Sequence, residues 1–202
     1  MKQYVVFDMI GVIFKSEMMT DVLYSIMPHT ITKKRLKNLY HQFEIGKIDS
    51  KAFWDGLRIK NHRTVEKEFL DNTQLDDNLL PVARILKKKY CLGILSNMPK
   101  EWGRYFIRKY KLATIFDEII LSGEVKAKKP SKKIYEIAVR KFGEFIFIDD
   151  RLENLKAARR FGIKTVLMER KDPTRKFKPD YTIHSLLELK GILLKGEDAS
   201  HW

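Results

Sequence analysis

The amino-acid sequence predicts an α/β fold in which a parallel sheet is flanked by helices and carries a small all-helical insertion. Three observations lead there. Short β-rich apolar runs recur at about 3–8, 91–95, 118–121, 145–148, 164–168 and 181–183, and strands buried on both faces read as such near-continuous apolar runs. Longer amphipathic stretches lie between them, an alternation that implies right-handed crossovers onto one sheet. Residues 16–80 break the rhythm, with helical spacing and no strand.

Taken in order, the first run, Gln3 to Asp8, ends in a carboxylate, as a buried strand does when it delivers a side chain to the sheet edge. The insertion then places apolar residues at helical spacing: Val22, Leu23 and Ile26; Leu36, Leu39, Tyr40 and Phe43; Phe53, Trp54 and Leu57; Val65, Phe69 and Leu70. Gly46 is suited to end one of these helices and Asp49-Ser50 to start the next. Phe53 and Trp54 are expected to fill the insertion's own core, with one of them able to face a site mouth. Farther on, the stretch 131–142 carries Ile134, Tyr135, Ala138 and Val139 on one face, and 154–161 stops at Gly162. Glu197–Trp202 is expected to fray. The division this implies is a core of 1–15 and 81–202, with 16–80 inserted after the first strand.

At 202 residues the chain suffices for one full-sized domain and a modest insertion. No apolar run approaches the roughly 20 residues that span a bilayer, and the opening MKQYVVFDMIGVIF lacks the succession of a secretory signal. The expected setting is cytoplasmic, with no membrane partner. A single cysteine, Cys91, excludes an internal disulfide and a cysteine metal site, and is expected as a small core residue. Forty Lys and Arg against 26 Asp and Glu give a formal charge of +14, which attracts anions such as phosphate esters. The basic residues are spread along the chain without the interleaved aromatics of a nucleic-acid module, so nucleic acid is not the expected partner. The five histidines are scattered without metal-ligand spacing and are read as surface or capping residues.

The chemistry is carried by four separated segments. Ligands of an open parallel sheet bind outside the carboxyl ends of its strands, where the strand order switches. Asp8 follows the first strand, Ser96-Asn97 the second, Lys129-Pro130 precedes a helix, and Asp149-Asp150 follows the run 145–148. Each alone is ordinary turn or cap chemistry. Together, three converging carboxylates call for a hard divalent cation, and all-oxygen ligation suits Mg²⁺. Lys129, Ser96 and Asn97 can then surround the oxygens of a phosphoryl group. Asp8 is left free to attack phosphorus and form an aspartyl-phosphate.

Asp8-Met9-Ile10-Gly11-Val12, Leu95-Ser96-Asn97, Lys129-Pro130-Ser131, and Phe147-Ile148-Asp149-Asp150-Arg151 with Asn154 and Gly162 together resemble the four ordered motifs of the haloacid dehalogenase-like (HAD) superfamily. The segment containing Phe43 to Ile48 and Phe53-Trp54 resembles the small helical cap of its epoxide-hydrolase amino-terminal-domain-like branch. The resemblance implies a Rossmann-like core, Mg²⁺ dependence and phosphate-ester hydrolysis through Asp8. It also implies that Asp8, Asp149, Asp150 and the backbone carbonyl of Ile10 hold the metal, that Ser96 and Asn97 bind phosphate, and that Lys129 steadies nucleophile and phosphoryl oxygens.

At Ile10 the sequence departs from the pattern, because phosphatases of that superfamily carry there a second Asp that protonates the leaving group and then activates water. General acid–base catalysis is typically worth about 10² to 10⁴ in rate, so its loss corresponds to roughly 3 to 5 kcal/mol of barrier. Low activity is expected, least impaired for aryl or acyl phosphates. Alternatives are a non-catalytic or regulatory protein that keeps the phosphate and metal pocket, and a 2-haloacid dehalogenase-type hydrolase, whose relatives also lack the second Asp but replace the acidic pair retained here. Phosphonate cleavage needs a Schiff-base lysine, for which Lys47 is the candidate. Lys15 and Lys47 are also candidates to select an anionic substrate at the cap–core cleft.

Overall fold

A computed structural model of the chain describes residues 2–16, 19–27, 30–169 and 177–194. The expected fraying of Glu197–Trp202 lies outside these residues, as do His29 and His201. Six strands form one sheet: β1 (Tyr4–Phe7), β2 (Cys91–Ser96), β3 (Glu118–Leu121), β4 (Phe145–Asp149), β5 (Lys164–Met168) and β6 (Tyr181–Ile183). Their order is β3-β2-β1-β4-β5-β6 and all five pairings are parallel. The fold is therefore the Rossmann-like α/β architecture expected from the sequence.

Side chains alternate across each strand, and both faces of this sheet are covered. Val5, Phe7, Ile94 and Ile148 face one apolar cluster, while Val6, Leu95, Phe145 and Phe147 face the other. That two-sided burial is why the strands read as unbroken apolar runs. Against the sheet pack α5 (Leu79–Leu86), α6 (Lys100–Lys109), α7 (Ser122–Val125), α8 (Lys132–Phe142) and α9 (Leu152–Arg159), and α10 (Leu189–Leu193) packs on α5. Two expectations are corrected here. Val139 of α8 is 36% exposed, lying at the edge of the apolar face and not within it. Cys91 is only half-buried, because it opens β2 at the amino edge of the sheet.

Between β1 and α5 come α1 (Met19–Ile26), α2 (Lys33–Glu44), α3 (Ser50–Gly56) and α4 (His62–Asp71). Thr32 caps α2 by accepting from Arg35 N at 3.2 Å, and Asp49 caps α3 by accepting from Ala52 N at 2.7 Å. After α2 the chain reverses through Gly46, which has φ +67° and lies against the main-chain carbonyl of Gly123, so a side chain is excluded twice over. Phe53 and Trp54 are fully buried, and with Tyr40, Phe43 and Phe69 they surround Trp102 of α6. Aromatic pairs of this kind add about 0.5–1.5 kcal/mol each beyond area burial, so the insertion is held on α6 by a continuous apolar seam. Polar contacts rim it: the Trp102 indole donates to Glu66, the Tyr105 hydroxyl to Asp71, and the Tyr110 hydroxyl to Thr73 O. No helix among the described residues is long and apolar enough to cross a membrane.

Candidate active site

The strand order switches between β1 and β4, and the acidic residues stand at that point. Asp8 follows β1 directly. Its N–H donates to Ile148 O at 2.9 Å, extending the β1–β4 ladder past the strand end and fixing where the side chain leaves the sheet. Asp8 Oδ1 accepts from Met9 N at 2.7 Å and from the Ser96 hydroxyl at 2.8 Å, while Oδ2 lies 3.0 Å from Lys129 Nζ.

Lys129 is 1% exposed and all three ammonium protons have acceptors: Asp8 Oδ2, Asp149 Oδ2 at 2.7 Å, and Leu95 O at 2.9 Å. Burial works against its charge, but Asp149 and then Asp8 more than offset it, and its pKa is raised. Asn97 holds the lysine's backbone at both ends, accepting from Lys129 N at 2.8 Å and donating to Lys129 O at 2.9 Å. Asp149, fully buried at the end of β4, accepts at Oδ1 from Arg151 N at 2.8 Å and from Asn154 Nδ2 at 3.0 Å. Tyr135 donates to Asn154 O at 2.8 Å and keeps that asparagine in place.

Asp8, Asp149 and Asp150 each offer an oxygen within 4.8 Å of the others. Withdrawal from water raises the carboxyls of Asp149 and Asp150, and the neighbouring carboxylates push both the same way. Lys129 brings one positive charge to these three acids, which leaves the floor with a negative excess. Asn154 Oδ1 is buried there with no partner among the described residues. The donor set is all oxygen, and a hard divalent cation fits it. Asp150's carboxyl occupies the space that a Cβ on Gly11 would fill, and Gly11 has φ +84°. A glycine is required at that position for both reasons.

Above the floor lies a cavity of about 270 Å³. Asp8, Ser96, Asn97 and Asp150 line its base, and Ile10, Lys128, Arg151 and Asn154 its sides. The opposite wall is one face of α2: Lys37, Tyr40, His41 and Glu44, at i, i+3, i+4 and i+7, with Met19 and Thr20 of α1 beside them. Glu44 Oε2 accepts from Lys128 Nζ at 2.6 Å, tying this wall to the residue preceding Lys129. Burial, then Glu44, raises the Tyr40 hydroxyl far above its usual range, while burial and Lys128 lower the His41 imidazole.

The structure thus brings together Asp8, Ile10, Ser96, Asn97, Lys129, Asp149 and Asp150. Lys15 lies apart, paired with Asp76 and Asp77, and Lys47 lines a different groove beside Lys100 and Arg104. Neither Phe53 nor Trp54 lines the cavity. His41, read from the sequence as a surface or capping residue, does line it. In the sequence Tyr40 reads with the apolar residues of α2, and Lys37, His41 and Glu44 have a spacing that any solvated helix surface also shows.

A family model for haloacid dehalogenase-like hydrolases matches residues 2–162, and the chain belongs to that family. Among solved structures, a HAD phosphatase from Thermococcus onnurineus superposes with a TM-score of 0.71 at 22% identity, covering 96% of this chain and 98% of its own. A HAD family enzyme from Bacteroides thetaiotaomicron, in complex with magnesium and inorganic phosphate, gives 0.72 at 23% identity over 86% of this chain and 97% of its own. A 2-haloacid dehalogenase from Pseudomonas syringae pv. Tomato DC3000 gives 0.69 at 17% identity over 96% and 99%. At these identities the likeness establishes the fold alone. By sequence, (S)-2-haloacid dehalogenase 4A of Burkholderia cepacia is 30% identical over 113 residues, 52% of this chain and 49% of its own length. Drimenol cyclase drtB of Aspergillus calidoustus is 29% identical over 86 residues, 41% of this chain and 16% of its own length. The matches therefore span about half or less of these curated relatives.

Proposed function

We propose that the protein is a Mg²⁺-dependent phosphohydrolase that acts on a small phosphorylated molecule through an aspartyl-phosphate on Asp8. One observation carries this reading: three carboxylates and a fully buried lysine converge beneath an open cavity, at the switch point of a parallel sheet. The magnesium and inorganic phosphate held by the Bacteroides thetaiotaomicron neighbour support it. Asp8, Asp149, Asp150 and the Ile10 main-chain carbonyl would hold the ion, which when bound neutralises the carboxylates and polarises phosphoryl oxygens. Asp8 attacks phosphorus. Lys129 orients the nucleophile from 3.0 Å, and its charge, with the polar groups of Ser96 and Asn97, stabilises the oxygens of the transferring group. Helices of the 16–80 segment act as a cap on a core of 1–15 and 81–202, and the α2 wall receives the leaving group. The proposed setting is the cytoplasm, with the +14 charge drawing in anions.

A dehalogenase reading draws on the Burkholderia cepacia relative and on the apolar Ile10. It is the weaker one, because Asp149 and Asp150 remain beside Asp8 and suit a cation. The test is hydrolysis of p-nitrophenyl phosphate with and without Mg²⁺ in the native chain, Asp8→Asn and Ile10→Asp, beside chloride release from 2-chloropropionate. Mg²⁺-dependent phosphatase activity abolished in Asp8→Asn supports the proposal. Chloride release without phosphatase activity overturns it, and so does phosphatase activity that appears only in Ile10→Asp.

A further inference from the structure

We propose that the leaving group departs as a carboxylate anion, which makes the acyl phosphates the substrate class of this site; the inference rests on the phosphohydrolase reading above. It comes from what the cavity offers beyond the floor. The side chain nearest in sequence to the nucleophile that lines the cavity is Ile10, an apolar group with no proton to give. The remaining wall holds Lys37, Lys128 and Arg151 against one lining carboxylate, Glu44, with Glu153 outside the lining 3.6 Å from Arg151. Of the other titratable groups there, the Tyr40 hydroxyl is held in its protonated form and the His41 imidazole is biased toward its neutral form. The wall is therefore built to stabilise negative charge on a departing oxygen and not to protonate it. Fixed cations directed at charge that develops in the transition state lower the barrier without proton transfer.

An acyl phosphate matches this chemistry step by step. An Asp8 carboxylate oxygen forms a bond to phosphorus, and the phosphorus–oxygen bond of the mixed anhydride breaks. The electron pair stays on the released carboxylate, so charge balances with no proton moved. Water then attacks the phosphorus of the aspartyl-phosphate, Asp8 regains its carboxylate, and the proton from water leaves on inorganic phosphate. An alkyl phosphate would have to expel an alkoxide, which needs the proton that this cavity does not supply. Lys37 comes from α2 and Arg151 from the amino end of α9, both lining the cavity, while Lys128 is already placed by Glu44 at 2.6 Å. A carboxylate leaving between them takes up contacts that an alcohol would not.

The experiment measures kcat/KM for acetyl phosphate and ethyl phosphate, with Mg²⁺ and the full chain, in the native protein, Lys37→Ala, Lys128→Ala and Ile10→Asp. The expected native preference for acetyl phosphate is about 10²- to 10⁴-fold. Each lysine variant should lower the acetyl-to-ethyl ratio about 5- to 10-fold, as loss of a charge contact specific to the departing anion. Ile10→Asp should narrow the ratio about 100-fold by accelerating the ethyl ester. A merely structural role for the lysines would lower both substrates together and leave the ratio unmoved. Comparable native turnover of both esters, or a ratio unchanged in both lysine variants, overturns the acyl-phosphate inference while the phosphohydrolase reading stands. Turnover of neither ester by a native chain that hydrolyses p-nitrophenyl phosphate overturns the acyl-phosphate inference alone, and hydrolysis of none of the three overturns both.

Discussion

Lys129 Nζ lies 2.7 Å from Asp149 Oδ2, and neither side chain meets solvent. The same ammonium reaches Asp8 at 3.0 Å, so one buried cation fixes the spacing between the ends of β1 and β4. Removing one partner of a buried pair leaves the other charge stranded, at a cost of about 3–5 kcal/mol. Lys129→Met should therefore lower unfolding stability by that amount in urea titration. Adding Asp149→Asn to it should recover part of the loss, since the stranded charge is then gone. A Lys129→Met chain as stable as the native one would contradict the arrangement.

Gly11→Ala should damage the site more than its size suggests. A Cβ there falls on the Asp150 carboxyl, and φ +84° strains any other residue. Strain of this kind costs on the order of 1–3 kcal/mol. Thermal melts should show that loss, and Mg²⁺ titration followed by calorimetry should show weaker binding, because Asp150 must move aside.

The junction between α2 and the core hangs on Ser122. Its hydroxyl donates to Glu44 O at 2.6 Å and accepts from Met98 N at 2.8 Å, fully buried. Ser122→Ala leaves a buried carbonyl and a buried N–H without that oxygen, which costs roughly 1–3 kcal/mol. Amide exchange should quicken first at Met98 and along α2. Unchanged protection at both would count against this junction as the anchor.

Acid sensitivity is expected at the rim of the aromatic seam. Lys67, then Tyr105 and Lys109, hydrogen-bond Asp71 and lower its pKa below the usual 3.8. The folded state thus holds its carboxylate charged where the unfolded chain has begun to protonate. Stability from this group is complete above about pH 4 and drains away as pH falls toward the depressed folded value. Asp71→Asn should flatten the fall in melting temperature between about pH 4 and 2.5, by a modest amount because the side chain is one-third exposed and screened. An identical acid profile in the variant would remove Asp71 from the explanation.

Much of the fold was legible because its signals are local. The strand at Tyr4–Phe7 is apolar at every inward position, and Asp8 interrupts it with a charge that a buried strand would not otherwise tolerate. Asp49 and Gly46 announced helix ends by their own chemistry. The four site segments were recoverable because parallel strands deliver their carboxyl ends to one edge. The wall made by Tyr40, His41 and Glu44 was not recoverable, since it depends on how α2 is rotated over the sheet. That rotation is set by distant contacts such as Phe43 on Trp102 and Ser122 on Glu44. The twofold grip of Asn97 on the Lys129 backbone was equally invisible, because two turns far apart in sequence must first meet.

The most direct test of Asp8 as the nucleophile is acid-quenched single turnover with p-nitrophenyl phosphate and Mg²⁺, followed by mass analysis of the peptide that contains Asp8. With Ile10 unable to activate water, the phosphorylated Asp8 peptide should accumulate before free phosphate appears, and Asp8→Asn should yield neither. Phosphate released at full rate with no adduct on that peptide, and undiminished in Asp8→Asn, would contradict the account.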